Sequence, residues 1–332
     1  MLAKGTRRVA AAAALTVATA VTVTVSAPAN GAEPAAHATT AAAHTATVRP
    51  AAAEVYARAG VSGRTGDYDG DSRQDILARD HATGSLNVYL HSGTFQGTAT
   101  FRAPEAFGDN WADMRWIAPA RVSADRQDDA FSDVLAVRGG ELLWYRHGGA
   151  YAGAGTLQSG VSIGSGWDVN DLIFTSDFDA DGYDDILARR AGTGDTFWYH
   201  NITAGAATPV FAAPELVIQG GADDVFQGLA DVTGDSYPDF LFSQGNGILG
   251  LFDFQNGVTY TLGWGWDTLD AIALSDPDFN GTPDLVARRR SDGALLVYLH
   301  GVWQPTPQNT AYDAFRAPQP LGYNWQLNDI IT

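Results

Sequence analysis

The stretch Asp177-Phe178-Asp179-Ala180-Asp181-Gly182-Tyr183-Asp184-Asp185, running into Ile186-Leu187-Ala188-Arg189, decides the fold of this chain. Carboxylates stand at positions 1, 3, 5 and 9 of a short loop, with glycine at position 6 and an aliphatic run behind. The pattern recurs as Asp67, Asp69, Asp71 and Asp75 before Ile76-Leu77-Ala78-Arg79, and as Asp276, Asp278, Asn280 and Asp284 before Leu285-Val286-Ala287-Arg288. It recurs again as Asp231, Thr233, Asp235 and Asp239 before Phe240-Leu241-Phe242. The most worn copy has Asp125, Gln127, Asp129 and Asp133 before Val134-Leu135-Ala136-Val137. The closing aspartates are 45 to 58 residues apart. Self-similarity at such a period marks a repeat architecture.

Two further motifs keep the same register. A G-x-x-W pattern appears at Gly108–Trp111, Gly164–Trp167, Gly263–Trp266 and Gly322–Trp325, with Gly221 near the corresponding place in the fourth unit, which lacks the tryptophan. The tetrapeptides Phe101-Arg102-Ala103-Pro104, Phe211-Ala212-Ala213-Pro214 and Phe315-Arg316-Ala317-Pro318 mark the first, third and fifth units. Within a unit the apolar runs are four to six residues long and separated by Gly, Asp or Pro, which is strand grammar. Four short antiparallel strands per unit of about 50 residues predict a propeller blade, with a linear solenoid as the alternative. The segment Trp325–Thr332 matches Trp167–Thr175 up to the acidic loop, and the first unit begins where that match stops. The two ends are therefore two parts of one blade, and their pairing predicts a closed, all-β, five-bladed ring that hides both of the edges the split would expose.

The acidic loops carry the clearest chemistry. Oxygens at positions 1, 3, 5 and 9, with the carbonyl of position 7 (Arg73 or Tyr183), suit Ca²⁺, a hard ion that takes six to eight oxygen ligands. The bland alternative is a solvated Asp-rich turn. An EF-hand is excluded, because a β-type run follows where a helix and a twelfth-position Glu are needed. The expected ligands are Asp67, Asp69, Asp71, Arg73 and Asp75; Asp177, Asp179, Asp181, Tyr183 and Asp185; Asp231, Thr233, Asp235 and Asp239; and Asp276, Asp278, Asn280 and Asp284, with Asp125, Asp129 and Asp133 as the weakest set. Three to five ions are expected, mainly structural. On these residues the repeats resemble the FG-GAP/VCBS type of Ca²⁺-loop β-propeller, found in integrin α-chain heads, fungal propeller lectins and exported bacterial proteins. The resemblance covers roughly residues 55–332. It implies a Ca²⁺-stabilised propeller that binds glycans or proteins.

Composition narrows the function. The chain has 332 residues, no cysteine and a formal net charge of -18. Disulfides and thiolate chemistry are excluded, and the missing basic footprint argues against nucleic acid. Lys4, Arg7 and Arg8, the apolar run from Val9 to Val25 and small residues near Ala27–Ala29 and Ala32 predict a cleaved secretory signal over 1–32. Residues 33–54, rich in Ala, Thr and Pro, predict a disordered linker. The propeller is expected over 55–332, outside the cell and not inserted in a membrane.

Enzyme signatures are weak. Gly160-Val161-Ser162-Ile163-Gly164 matches a nucleophile elbow but lies between strands. His91, His147, His200 and His300 recur with the repeat, which predicts a structural place. No catalytic centre is expected. The G-x-x-W residues Trp111, Trp167, Trp266 and Trp325 are candidates for sugar stacking or for wedges between blades. A lectin-like module is the expected function, ahead of a protein-interaction scaffold and a carbohydrate-active hydrolase or lyase.

Overall fold

The computed structural model describes residues 65–123, 131–179, 181–203, 206–221 and 224–332, together with the backbone of Thr47–Val48. The expected signal over 1–32, nearly all of the expected linker, and loop residues Asp125 and Asp129 lie outside the described residues.

Thr47–Val48 forms β1. Twenty further strands make five antiparallel sheets, the blades of a five-bladed β-propeller. Blade I contains β2 (Ile76–Asp80), β3 (Leu86–Tyr89) and β4 (Glu105–Gly108). Blade II contains β5 (Trp116–Ala120), β6 (Asp133–Arg138), β7 (Glu141–Tyr145) and β8 (Val161–Ser165). Blade III contains β9 (Asn170–Ser176), β10 (Asp185–Arg190), β11 (Thr196–Tyr199) and β12 (Glu215–Gln219). Blade IV contains β13 (Asp224–Ala230), β14 (Asp239–Gln244), β15 (Leu249–Asp253) and β16 (Val258–Gly263). Blade V contains β17 (Leu269–Ser275), β18 (Asp284–Arg289), β19 (Leu295–Tyr298) and β20 (Gln319–Gly322). The missing inner strand of blade I is β21 (Asn328–Ile331), which pairs with β2 and closes the ring as the repeat arithmetic predicts. Thr332 exchanges both backbone hydrogen bonds with Leu77, at 2.7 and 2.9 Å. Within the stretch expected to be linker, β1 pairs with β12 at the outer edge of blade III.

The second strands are buried on both faces, as expected of elements with a neighbouring blade on either side. The first strands line a central cavity of about 950 Å³. Three arginines anchor those inner strands. Arg79 forms a two-bond ion pair with Asp329, Arg189 with Asp171 and Arg288 with Asp270, at 2.6 to 3.0 Å. Each guanidinium also donates to the carbonyl at the turn into the next blade: Arg79 to Trp111 at 2.9 Å, Arg189 to Gly221 at 3.0 Å and Arg288 to Trp325 at 3.0 Å. Blade II has Val137 in that register, and Arg115 donates to Trp167 O from the opposite side.

The G-x-x-W motif is a wedge. Trp111, Trp167, Trp266 and Trp325 are only 4–9 % exposed. Each stacks on the third-strand tyrosine of the blade its turn leads into: Tyr145, Tyr199, Tyr298 and Tyr89, with ring centroids 4.3 to 4.8 Å apart. The indole folds back over its own turn, so a Cβ at Gly322 or Gly108 would lie 2.3 or 2.5 Å from the tryptophan Nε1. The residue before each tryptophan takes a left-handed conformation, which Asn110, Gly166, Gly265 and Asn324 accept.

Candidate metal loops and exposed aromatic surface

Each acidic loop links the first and second strands of a blade, and loops I, III, IV and V are curled by their own carboxylates. The first aspartate accepts N–H bonds from the loop crest: Asp67 from Gly70 and Ser72, Asp177 from Asp181 and Gly182, Asp231 from Gly234, Asp235 and Ser236, and Asp276 from Asn280 and Gly281. One oxygen of each third- and fifth-position carboxylate in loops I and III caps the amide two residues on. The other oxygens gather. Ligand atoms of Asp67, Asp69 and Asp71 lie within 4.8 Å of one another, as do those of Asp276, Asp278 and Asp284, and those of Asp179, Asp181 and His200.

The ninth position behaves differently from the expectation that it simply completes an ion's shell. Asp75 is a staple: Oδ2 accepts from Tyr68 N–H at 2.9 Å and Oδ1 from His91 N–H at 2.8 Å. Asp185 does the same with Phe178 and Asn201. Asp133 takes His147 N–H and Trp144 Nε1–H. In loops I and III this residue is therefore turned into the strand junction and does not join the gathered oxygens. Nor does Asp177 join the gathered set of loop III.

Loops IV and V break the staple for identifiable reasons. Loop V carries Pro277 at position 2, which has no N–H to give. Asp284 is 0 % exposed, and its Oδ2 has no hydrogen-bond partner. Blade IV joins β15 to β16 by a tight hairpin, and Asp239 accepts both of its bonds, from Val232 and Thr233, on Oδ2. Its Oδ1 is buried without a donor. Burial pushes Asp75, Asp185 and Asp239 up to about 8 and Asp284 up to about 7, against the pull of their N–H donors. The donor set of these two loops is all oxygen and includes buried oxygens that nothing reaches, which fits a hard divalent cation. In loop I the open oxygens face basic groups instead, with Arg73 at 3.3 Å from Asp71 and Arg102 at 3.9 Å from Asp69.

The recurring histidines resolve into two kinds. His91 and His147 receive N–H bonds at Nδ1 from Gly93 and Gly149 and donate from Nε2 to Pro277 O and Tyr68 O of the preceding blade's loop. His300 donates likewise to Val232 O. These are inter-blade struts, as the repeat register predicts. In blade III the strut is Asn201, donating to Val122 O. His200 therefore stands one residue out of register, and its Nε2 lies 2.6 Å from Asp179 Oδ2. The sequence grouping of His200 with the others is corrected on this point.

No elbow forms at Ser162. It lies within the outer strand β8, opposite Leu143.

The sugar-stacking alternative for the four G-x-x-W tryptophans is corrected by their burial, since stacking on a pyranose requires an open ring face. The aromatics that are open lie elsewhere. Trp264 is 47 % and Tyr312 41 % exposed, with ring centroids 4.9 Å apart. Trp264 comes from the turn after β16. Tyr312 comes from the long connection of blade V, which clasps blade IV through Thr261 N–H to Asn309 O and Ala311 N–H to Thr261 O. The corresponding turn positions at other junctions are Asp109, Ser165 and Tyr323. The signal was legible, since Trp264 lies inside the G-x-x-W motif Gly263–Trp266, but the motif's own tryptophan masked it.

No protein-family model matches the chain, and no curated protein matches it. Among solved structures it is similar to a lectin from Agrocybe aegerita described as recognising non-reducing terminal N-acetylglucosamine, at 17% identity and a TM-score of 0.41 over 76% of this chain and 67% of that one. It is also similar to a chain of the TcdB2-TccC3-TEV structure, at 15% identity and a TM-score of 0.25 over 78% of this chain and 13% of that one. Among the described residues, no helix is long and apolar enough to cross a membrane.

Proposed function

We propose that this is an exported, non-catalytic β-propeller of the FG-GAP/VCBS-repeat kind that is stabilised by Ca²⁺ and binds carbohydrate at the junction of blades IV and V. The observation that carries the ligand reading is the open Trp264–Tyr312 pair. The segment that carries Tyr312 is tied to blade IV at Thr261, the two rings pack on each other, and an indole face suits the C–H face of a pyranose. Ca²⁺ would be held by Asp231, Thr233, Asp235 and Asp239 in blade IV and by Asp276, Asp278, Asn280 and Asp284 in blade V, with the gathered oxygens of loop I as a further site. Bound there, the ion supplies positive charge to buried carboxylates. The chain's own residues do the rest: the clasp at Thr261 brings Tyr312 against Trp264.

The test is a glycan array with the purified protein in Ca²⁺ and after chelation, repeated with Trp264→Ala and Tyr312→Ala. Binding to a related sugar set that both substitutions abolish is the expected result. Binding that survives both would place the sugar elsewhere. A second reading, a protein-interaction scaffold, is favoured by one fact: the exposed pair stands at a single junction and breaks the repeat. A folded protein that binds no glycan would move this reading to first place.

A further inference from the structure

The third loop differs from the others in ligand chemistry. In blades I and V the residue before the strut histidine is a buried leucine, Leu90 or Leu299. In blade III that place holds His200, half open to solvent and stacked on Trp198 with ring centroids 5.1 Å apart. Its Nε2 lies 2.6 Å from Asp179 Oδ2 and 4.0 Å from Asp181 Oδ2. The remaining oxygens of the two carboxylates are spent on backbone, Asp179 Oδ1 on Asp181 N–H and Asp181 Oδ1 on Tyr183 N–H. Both Oδ2 atoms are thereby aimed at the imidazole.

We propose that Asp179, Asp181 and His200 form a binding site for a divalent transition-metal ion of the zinc type, chemically separate from the all-oxygen loops. Zinc bound to nitrogen and carboxylate oxygen at about 2.0–2.2 Å in a tetrahedral shell requires ligand atoms roughly 3.3–3.6 Å apart. The two observed separations bracket that range, so a small rotation of the imidazole would bring both oxygens to it. An imidazole is a poor ligand for Ca²⁺ and a good one for zinc, cobalt, nickel and copper. The competing explanation is electrostatic. Blade III has Ala212 where blades I and V have Arg102 and Arg316, so His200 could merely replace a lost cation beside the loop. An arginine performs that task and cannot ligate a metal, which separates the two explanations.

The inference rests on reading loop III as a cation loop, and the experiment isolates it from the Ca²⁺ proposal. The purified protein is titrated with Co²⁺ in the presence of excess Ca²⁺, which occupies the oxygen loops. Binding is followed by visible absorption and by calorimetry. The expected result is one tight equivalent with the spectrum of a nitrogen- and oxygen-ligated ion. Zn²⁺ should displace it, and both His200→Arg and His200→Ala should abolish it. Cu²⁺ should quench emission from Trp198 in the parent protein and not in His200→Arg. His200→Arg places a cation beside Asp179 that cannot ligate a metal, and its melting temperature, measured alongside, shows whether it folds. No tight equivalent in excess Ca²⁺, or one that persists in His200→Arg, overturns the proposal. The Ca²⁺ proposal fails separately, if chelation leaves the melting temperature unchanged.

Discussion

Loops I and V differ by little in sequence and by much in what their ninth carboxylate does. In loop I, Tyr68 and His91 each give Asp75 an N–H, so the carboxylate is complete within the protein. In loop V the proline at 277 withholds one donor, and Asp284 Oδ2 is left buried and bare. One imino acid thus divides a loop whose ninth carboxylate is fully bonded from a loop in which one of its oxygens is left bare. Under the Ca²⁺ proposal, a repeat can keep its fold while its members differ in their dependence on metal.

Chelation tests the comparison most broadly. A site filled at a hundred times its dissociation constant adds about 2.7 kcal/mol. EGTA should therefore lower the melting temperature by several degrees, and an unchanged transition would reduce every loop to an acidic turn.

Paired substitutions sharpen the contrast. Asp75→Asn removes a carboxylate that accepts two backbone bonds, and should cost about 1.5–3 kcal/mol whether or not Ca²⁺ is present. Asp284→Asn should cost a similar amount in Ca²⁺ and be neutral or stabilising in EGTA, because there it relieves a buried charge. Equal costs in both media, measured by urea unfolding, would erase the distinction between the loops.

Gly322→Ala probes the wedge beside this junction. Its Cβ would fall 2.3 Å from Trp325 Nε1, and the overpacking should cost about 1–3 kcal/mol. The loss should be the same with and without Ca²⁺. If it depends on Ca²⁺, wedge and loop are coupled.

Pro277→Ala is the smallest and sharpest change. It restores the N–H opposite Asp284 and should add roughly 0.5–1.5 kcal/mol in EGTA while shrinking the Ca²⁺-dependent gain. A gain in EGTA that leaves the Ca²⁺ response intact would show that the bare oxygen is not what the ion answers.

The ring, its five units and its closure were legible because each rests on short-range grammar repeated in register: a loop, a strand, a turn. The closure in particular followed from matching Trp325–Thr332 to Trp167–Thr175. What was not legible came from contacts between blades. Nothing local distinguishes a tryptophan that faces solvent from one covered by Tyr89 or Tyr145 of the next blade, so Trp264 and Trp266, two residues apart, had opposite fates. The strut role of Asn201 was hidden because an asparagine replaces a histidine there, and His200 beside it supplied a misleading match. The absent donor at Pro277 was visible in the sequence, but its consequence depends on which oxygen of Asp284 the strand leaves buried.

The two-bond ion pair between Arg79 and Asp329 joins residues 250 positions apart. Blade I is therefore the first blade begun and the last completed. During synthesis its second strand must wait, unpaired on its inner side, until residues 328–331 have been made, while each of blades II to V has its own four strands close at hand in sequence. Removing β21 should unravel the beginning of the propeller before its end, with Ile76–Asp80 losing protection against hydrogen exchange ahead of Asp284–Arg289.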